Sequence, residues 1–207
     1  MPKLRGRPRD TAVDAAIDTA VESLLLADGY SAVNIDRVAK LARTTRAAVY
    51  RRAKTPSELV VGLLVSRFGI DPAPDCGDLR RDLRLLQEMQ RRFFADPVVQ
   101  AALAGLLSDF RSQSEVGAVF YERFMAPRRR SLAAMLARAA ERGEPIPVEH
   151  SDIAADLLTG PLLLRAALPV LGPIDDRLLE ATVEAALSIG GSRQVRRHWP
   201  KQSAGIH

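Results

Sequence analysis

The stretch GYSAVNIDRVAKLARTTRAAVYRRAKTPSELV, from Gly29 to Val60, decides how this chain is read. Asn34 is a good N-cap, and Ile35, Val38, Ala39 and Ala42 follow it on one helical face. Arg43-Thr44-Thr45 forms a turn in which a threonine can cap the next helix, and Val49 turns that helix toward a core. Thr55-Pro56-Ser57-Glu58 is a capping box with proline at the first helical position, so a further helix begins there. Helices this short are unstable alone in water and need a packing surface. A short helix, a tight turn and a second short helix of small and basic residues form a helix-turn-helix, which sets its second helix into a DNA major groove.

Charge points the same way. Between Asn34 and Lys54 there are seven Lys/Arg (Arg37, Lys40, Arg43, Arg46, Arg51, Arg52, Lys54) and one acid, Asp36. A solvated helix face normally mixes both signs. Ala47 and Ala48 are small enough to let the backbone approach a groove. Residues 1–68 carry 12 Lys/Arg against 7 Asp/Glu, a net of +5, whereas residues 69–192 carry 14 against 18, a net of −4. The tail 193–207 adds 4 basic residues and no acid. Phosphate neutralisation and counterion release draw the first segment to nucleic acid and give the middle no reason to bind it. The pattern is a basic reading head on a body with a different task.

Outside the head, the apolar stripe Val13, Ala16, Ile17, Ala20, Val21, Leu24 and Leu25 predicts a helix from Thr11 to Ala27. Before it, residues 1–9 place Lys3, Arg5, Arg7 and Arg9 among Gly6 and Pro8. They suit an arm along DNA phosphates or in the minor groove; the alternative is a solvated basic tail. Leu59, Val60, Leu63, Leu64 and Phe68 continue the helix begun at Thr55, and residues 69–77 read as a linker. The body is helical throughout. Its segments are residues 78–94, a helix starting at Asp96-Pro97, a long helix over 115–142 that Pro127 should kink near 123–126, and two apolar helices at Ser151–Leu171 and Asp175–Ile189. No strand pattern or repeat occurs. The expected fold is all-α with about nine helices: arm 1–9, head 10–68, body 78–190 and basic tail 191–207.

The helix from Ser151 is apolar nearly all round, which means burial on several sides, and in a small domain that points to a partner subunit. Leu157, Leu164 and Leu168, with Leu179, Val183 and Leu187 of the last helix, are the expected homodimer interface. The lone Cys76 excludes an internal disulfide, and a reducing, cytoplasmic setting is the simplest reading of it. MPKLRGRPRD has no apolar run behind it, and no stretch reaches the roughly 18–20 apolar residues a membrane span needs. His150, His198 and His207 lie in a loop and the tail. No glycine-rich phosphate loop, metal-ligand spacing or catalytic set occurs, so neither an enzyme nor a metal or cofactor is expected.

The spacing of Gly29, Tyr30, Ala39, Ala42, Val49, Tyr50 and Leu59 resembles the DNA-binding domain of the tetracycline-repressor family, over Pro8 to Leu64. Arg-Phe-Met-Ala-Pro-Arg-Arg at 123–129 and Leu-x-Gly-Pro-Leu at 158–162 are similar to the C-terminal domain of one actinobacterial-type group of these regulators. The resemblance implies a homodimer on a palindromic double-stranded operator, usually repressing a nearby gene and responding to a small-molecule effector. It implies contacts to phosphates or base edges from Thr45, Arg46, Tyr50 and Arg51, with Arg46 the candidate for guanine O6/N7. Tyr50, Thr45 and Arg52 would position the helix on the backbone. Asn34, Thr44, Ala47 and Lys54 complete the head's candidates, with Arg5 and Arg7 from the arm. The implied effector cavity has as candidate lining Met89, Phe93, Leu106, Phe110, Phe120, Phe124, Met125 and Leu162, which suit an apolar or amphipathic molecule. Arg165, inside an apolar run, would face an anionic ligand, pair across the dimer, or carry its head to water. Three residues depart from the family pattern: Arg43 stands for a turn glycine, Ala53 for an aromatic and Pro56 for a lysine, whose phosphate contact Lys54 would supply. The alternatives are a helical protein using its basic head on an acidic protein partner, and an activator of the same fold.

Overall fold

The computed structural model describes residues 11–70, 72–144 and 150–189; Arg5, Arg7, the rest of the basic arm and the tail lie outside them. Nine helices and no strand occur among the described residues: α1 (Thr11–Asp28), α2 (Ile35–Leu41), α3 (Arg46–Arg52), α4 (Pro56–Phe68), α5 (Leu79–Ala95), α6 (Pro97–Ser112), α7 (114–141), α8 (Ser151–Ala167) and α9 (Asp176–Ser188). The helix starts follow the capping chemistry legible in the chain. Asn34 accepts from the Arg37 N–H at 2.9 Å, Thr45 from Ala48 at 3.1 Å and Thr55 from Glu58 at 3.1 Å. Each bond satisfies an amide that the first helical turn leaves without a partner. Glu58 returns the capping-box bond one residue early, accepting from the Lys54 N–H at 2.9 Å.

Packing does not stop at the linker. One core runs from Ile17, Val21 and Leu25 of α1 through Val38, Val49, Leu59 and Leu63 to Val98, Ala102 and Leu106 of α6, and on to Phe124, Leu162 and Leu179. A second core at the far end of the body gathers Leu79, Leu83, Leu132, Met135, Leu136, Leu158 and Val183. Ion pairs reinforce the seam between head and body. Arg67 of α4 reaches Glu22 of α1 at 2.9 Å and Asp96, the cap of α6, at 3.0 Å. Arg128 of α7 donates to the carbonyl of Gly69, which ends α4, at 2.6 Å.

The expected interruption by Pro127 takes a specific form. Residues Tyr121–Met125 form a π-helical turn, closed by the Ala126 N–H on the Tyr121 carbonyl, between the α-helical spans Ser114–Phe120 and Ala126–Glu141. Proline has no N–H to offer the preceding turn, and the extra residue absorbs the mismatch. The Arg128 guanidinium donates to the Phe124 carbonyl at 2.9 Å beside it.

Two expectations for the last helices need correction. α8 ends at Ala167, four residues before Leu171, because Pro169 disfavours the helical conformation at Leu168 and a 3-10 turn, Pro169–Leu171, follows. Leu179 and Val183 are fully buried inside the single chain, where α9 packs on α8 and α5, so they are core residues and not interface residues. Gln87 of α5 is buried at the same junction and donates to the Leu158 carbonyl at 3.0 Å and to the Thr182 hydroxyl.

Candidate nucleic-acid interface

The turn between α2 and α3 is closed by Thr44 N–H on the Ala39 carbonyl at 3.0 Å and Arg43 N–H on Lys40 at 3.2 Å. Arg43 takes φ 50°, the only positive φ of a non-glycine among the described residues. A side chain there costs about 1 kcal/mol relative to glycine. The turn therefore keeps the geometry that glycine would favour and bears the strain, while adding a cation beside the reading helix.

α3 has two unlike faces. Ala48 and Val49 are buried, and Arg52, three residues after Val49, lies on the same side. Its guanidinium bridges Asp14, at 3.1 Å, and Asp18 of α1, with 19% of its side chain exposed. Arg52 is thus a strut between α3 and α1, which corrects its expected role at the DNA backbone. Asn34 is likewise a cap, its amide oxygen occupied by the Arg37 N–H. The opposite face carries Ala47, Tyr50 and Arg51 at i, i+3 and i+4, all exposed, with Tyr50 56% exposed. Thr45 is exposed, and its oxygen accepts from Ala48 while its hydroxyl hydrogen stays available; Thr44 is half-buried.

The exposed cations fall into two groups. Arg46 pairs with Asp36, and Arg37 with Asp28. Lys40, Arg43, Arg51 and Lys54 are exposed and have no ion pair among the described residues. Lys40 and Arg43 belong to the single-signed segment without being among the candidate contacts it suggests. Their lack of acidic partners, visible only in three dimensions, brings them in.

The aromatic candidates of the body form a continuous file of rings that begins at Phe68 of α4. Phe68 meets Phe93 at 4.8 Å between centroids, Phe93 meets Phe124 at 5.3 Å, Phe124 meets Phe120 at 5.0 Å, and Phe120 meets Phe110 at 4.7 Å. Leu106 and Leu162 are buried in the same core, and Met125 packs against it. Met89 is half-buried on α5. An open hollow on the surface of α6 is lined by Leu107, Ser108, Arg111 and Ser112, none of them a candidate. Arg165 donates to the Leu171 carbonyl and so holds the turn after α8, an exposed bond that fits the reading in which its head reaches out of the apolar run. Beside it Leu164, Leu168, Val170 and Leu171 leave a contiguous stretch of chain apolar and exposed, Val170 at 90%. Leu157 and Leu187 are half-buried. Among the described residues no group of acids, histidines and cysteine is placed to hold a metal, and no single helix is long and apolar enough to cross a membrane.

Residues 73–186 match the family model described as tetracyclin repressor-like, C-terminal domain. The uncharacterized HTH-type transcriptional regulator Rv1556 of Mycobacterium tuberculosis is 30% identical over 154 residues, 74% of this chain and 75% of that protein. The DNA-binding transcriptional repressor TetR of Mycobacteroides abscessus is 28% identical over 181 residues, 84% of this chain and 92% of that one. The crystal structure of the TetR family transcription regulator SCO0332 superposes with a TM-score of 0.67 at 23% identity, covering 85% of this chain and 97% of its own, a likeness of fold.

Proposed function

The chain belongs to the tetracycline-repressor family of transcriptional regulators, and from that premise we propose that it acts as a homodimeric repressor on a palindromic operator. The observation that carries this reading is the outer face of the helix-turn-helix: exposed Tyr50 with the unpaired cations Lys40, Arg43, Arg51 and Lys54. Four such cations in each of two heads neutralise phosphates, so affinity falls steeply with salt, with a logarithmic slope of about −7. Tyr50 and Thr45 place α3 against the backbone, and Arg46 reads a base. To do so Arg46 leaves Asp36, a solvent-exposed ion pair of the kind worth about 0–1 kcal/mol. A bidentate contact to guanine discriminates by about 1–3 kcal/mol, so the exchange favours DNA.

Two heads reading successive major grooves need recognition helices about 34–36 Å apart, which a homodimer supplies. Leu164, Leu168, Val170 and Leu171 are the exposed apolar residues that a second copy would cover, and Leu157 and Leu187 are half-buried interface candidates elsewhere on the last two helices. An apolar or amphipathic effector enters the body by displacing rings of the phenylalanine file, and the resulting shift changes the spacing of the heads. Fluorescence anisotropy on an operator obtained by binding-site selection tests the head. Arg46→Ala should weaken binding about tenfold and relax selection at one base pair per half-site, and Tyr50→Ala should weaken it on all sequences. Unchanged affinity in both variants overturns the function.

A further inference from the structure

Besides its apolar packing and the ion pairs of Arg67, the seam between head and body holds a compact polar seat around Tyr30. Tyr30 lies in the 3-10 turn Tyr30–Ala32 between α1 and α2, behind Gly29, whose φ of 81° and ψ of −179° are open to glycine and to few other residues. The Tyr30 ring packs against Gly105 of α6, so closely that a Cβ at that glycine would overlap the ring. One turn further along α6, Asp109 accepts from the Tyr30 hydroxyl at 2.6 Å and, on the same Oδ2, from the hydroxyl of buried Ser57 at the start of α4. No cation lies within ion-pair distance of Asp109 among the described residues. Burial, and then the bond to Asp109, push the Tyr30 hydroxyl above the ordinary tyrosine range, which keeps it protonated and donating.

Around the seat, α1 and α4 pack aliphatic side chains on Val98, Ala102 and Leu106. Such packing is non-directional and tolerates sliding, whereas a hydrogen bond fixes distance and angle. The seat also has a counterpart. Near the other end of α4, Arg67 binds Asp96, at the opposite end of α6 from Asp109. α4 is therefore pinned along α6 at residues 57 and 67, and rotation about either pin requires the other to break. We infer that Tyr30, Gly105 and Asp109, with Ser57, are positioning residues for operator recognition: they hold the reading helix at the one angle that fits the spacing of two half-sites. This consequence rests on the operator-binding function proposed above, while the seat itself does not.

Two readouts test it on the full-length protein. Fluorotyrosine labelling gives three fluorine signals, from Tyr30, Tyr50 and Tyr121. The Tyr30 signal, assigned by its loss in Tyr30→Phe, should move in the near-isosteric Asp109→Asn; an unmoved signal overturns the seat. Operators whose half-site spacing is lengthened or shortened by one base pair then read the positioning role. Wild type should prefer one spacing; Tyr30→Phe and Asp109→Asn should each flatten that preference by about fivefold, the effect of one lost hydrogen bond, and Gly105→Ala, whose methyl displaces the ring, should flatten it too, with affinity for an isolated half-site unchanged. An equal loss at every spacing, or a preference kept intact, overturns the inference. Asp109→Asn keeps the question open to measurement where Gly105→Ala fails to fold. A wild type that selects no DNA removes the function and leaves the fluorine signal to decide the seat alone.

Discussion

The head and the far end of the body are built on different terms. In the head, helices of seven residues are delimited by caps within three or four positions of their own starts, and the interior follows from a few aliphatic residues between the caps. At the far end, α5, α8 and α9 are longer, and which of their residues face inward depends on neighbours about seventy to a hundred residues away, as with Gln87 on Leu158 and Thr182. The contrast separates two kinds of specification. Local hydrogen bonds place the reading helix, and long-range burial decides what remains exposed for a partner.

The largest test sets buried against exposed leucines of the body. Leu179→Ala should lower unfolding free energy by about 2–5 kcal/mol in urea titrations. Leu168→Ala should stay within about 0.5 kcal/mol. The same Leu168→Ala should shift sedimentation toward the monomer; a dimer of unchanged strength would break the division between core and interface drawn here. Next come two neighbouring arginines of the head. Arg52→Ala, which leaves Asp14 and Asp18 without their bridge, should cost about 1–3 kcal/mol of stability. Arg51→Ala should leave stability alone and lower the salt slope of operator binding by about 1. If the two exchange effects, the two faces of α3 have been assigned the wrong way round.

Arg43→Gly probes the strained turn. It should raise stability by about 0.5–1 kcal/mol, by calorimetry, while weakening DNA binding through the lost cation. The smallest effect concerns pH. The Tyr30 hydroxyl ionises at higher pH folded than unfolded, so its contribution is fully present below the unfolded value of about 10 and is lost as pH rises through the folded one. The urea-midpoint difference between wild type and Tyr30→Phe should therefore hold at neutral pH and shrink in strong alkali.

Much of the head was legible in order. Asn34, Thr45 and Thr55 announced three helix starts and Pro127 the break in α7, because each acts on amides within one turn of itself. The candidate contacts were legible as residue types but not as surfaces. Arg51 and Arg52 are adjacent and chemically identical, and only their placement separates a phosphate ligand from a strut on α1. Leu164 and Leu179 were equally apolar in the sequence, and one proved half-exposed while the other has no exposed surface.

By itself, then, the sequence determined the helices and most of their caps and breaks, the concentration of positive charge between Asn34 and Lys54, and the family resemblance that these carry. The tertiary structure alone decided that the core runs unbroken from head to body across the linker, that Arg165 closes a turn, and that Tyr30 meets Gly105 and Asp109 some eighty residues away. The reason is range. Caps and periodicity act over one turn of chain, whereas burial and ion pairing act through space between segments whose approach no local pattern encodes.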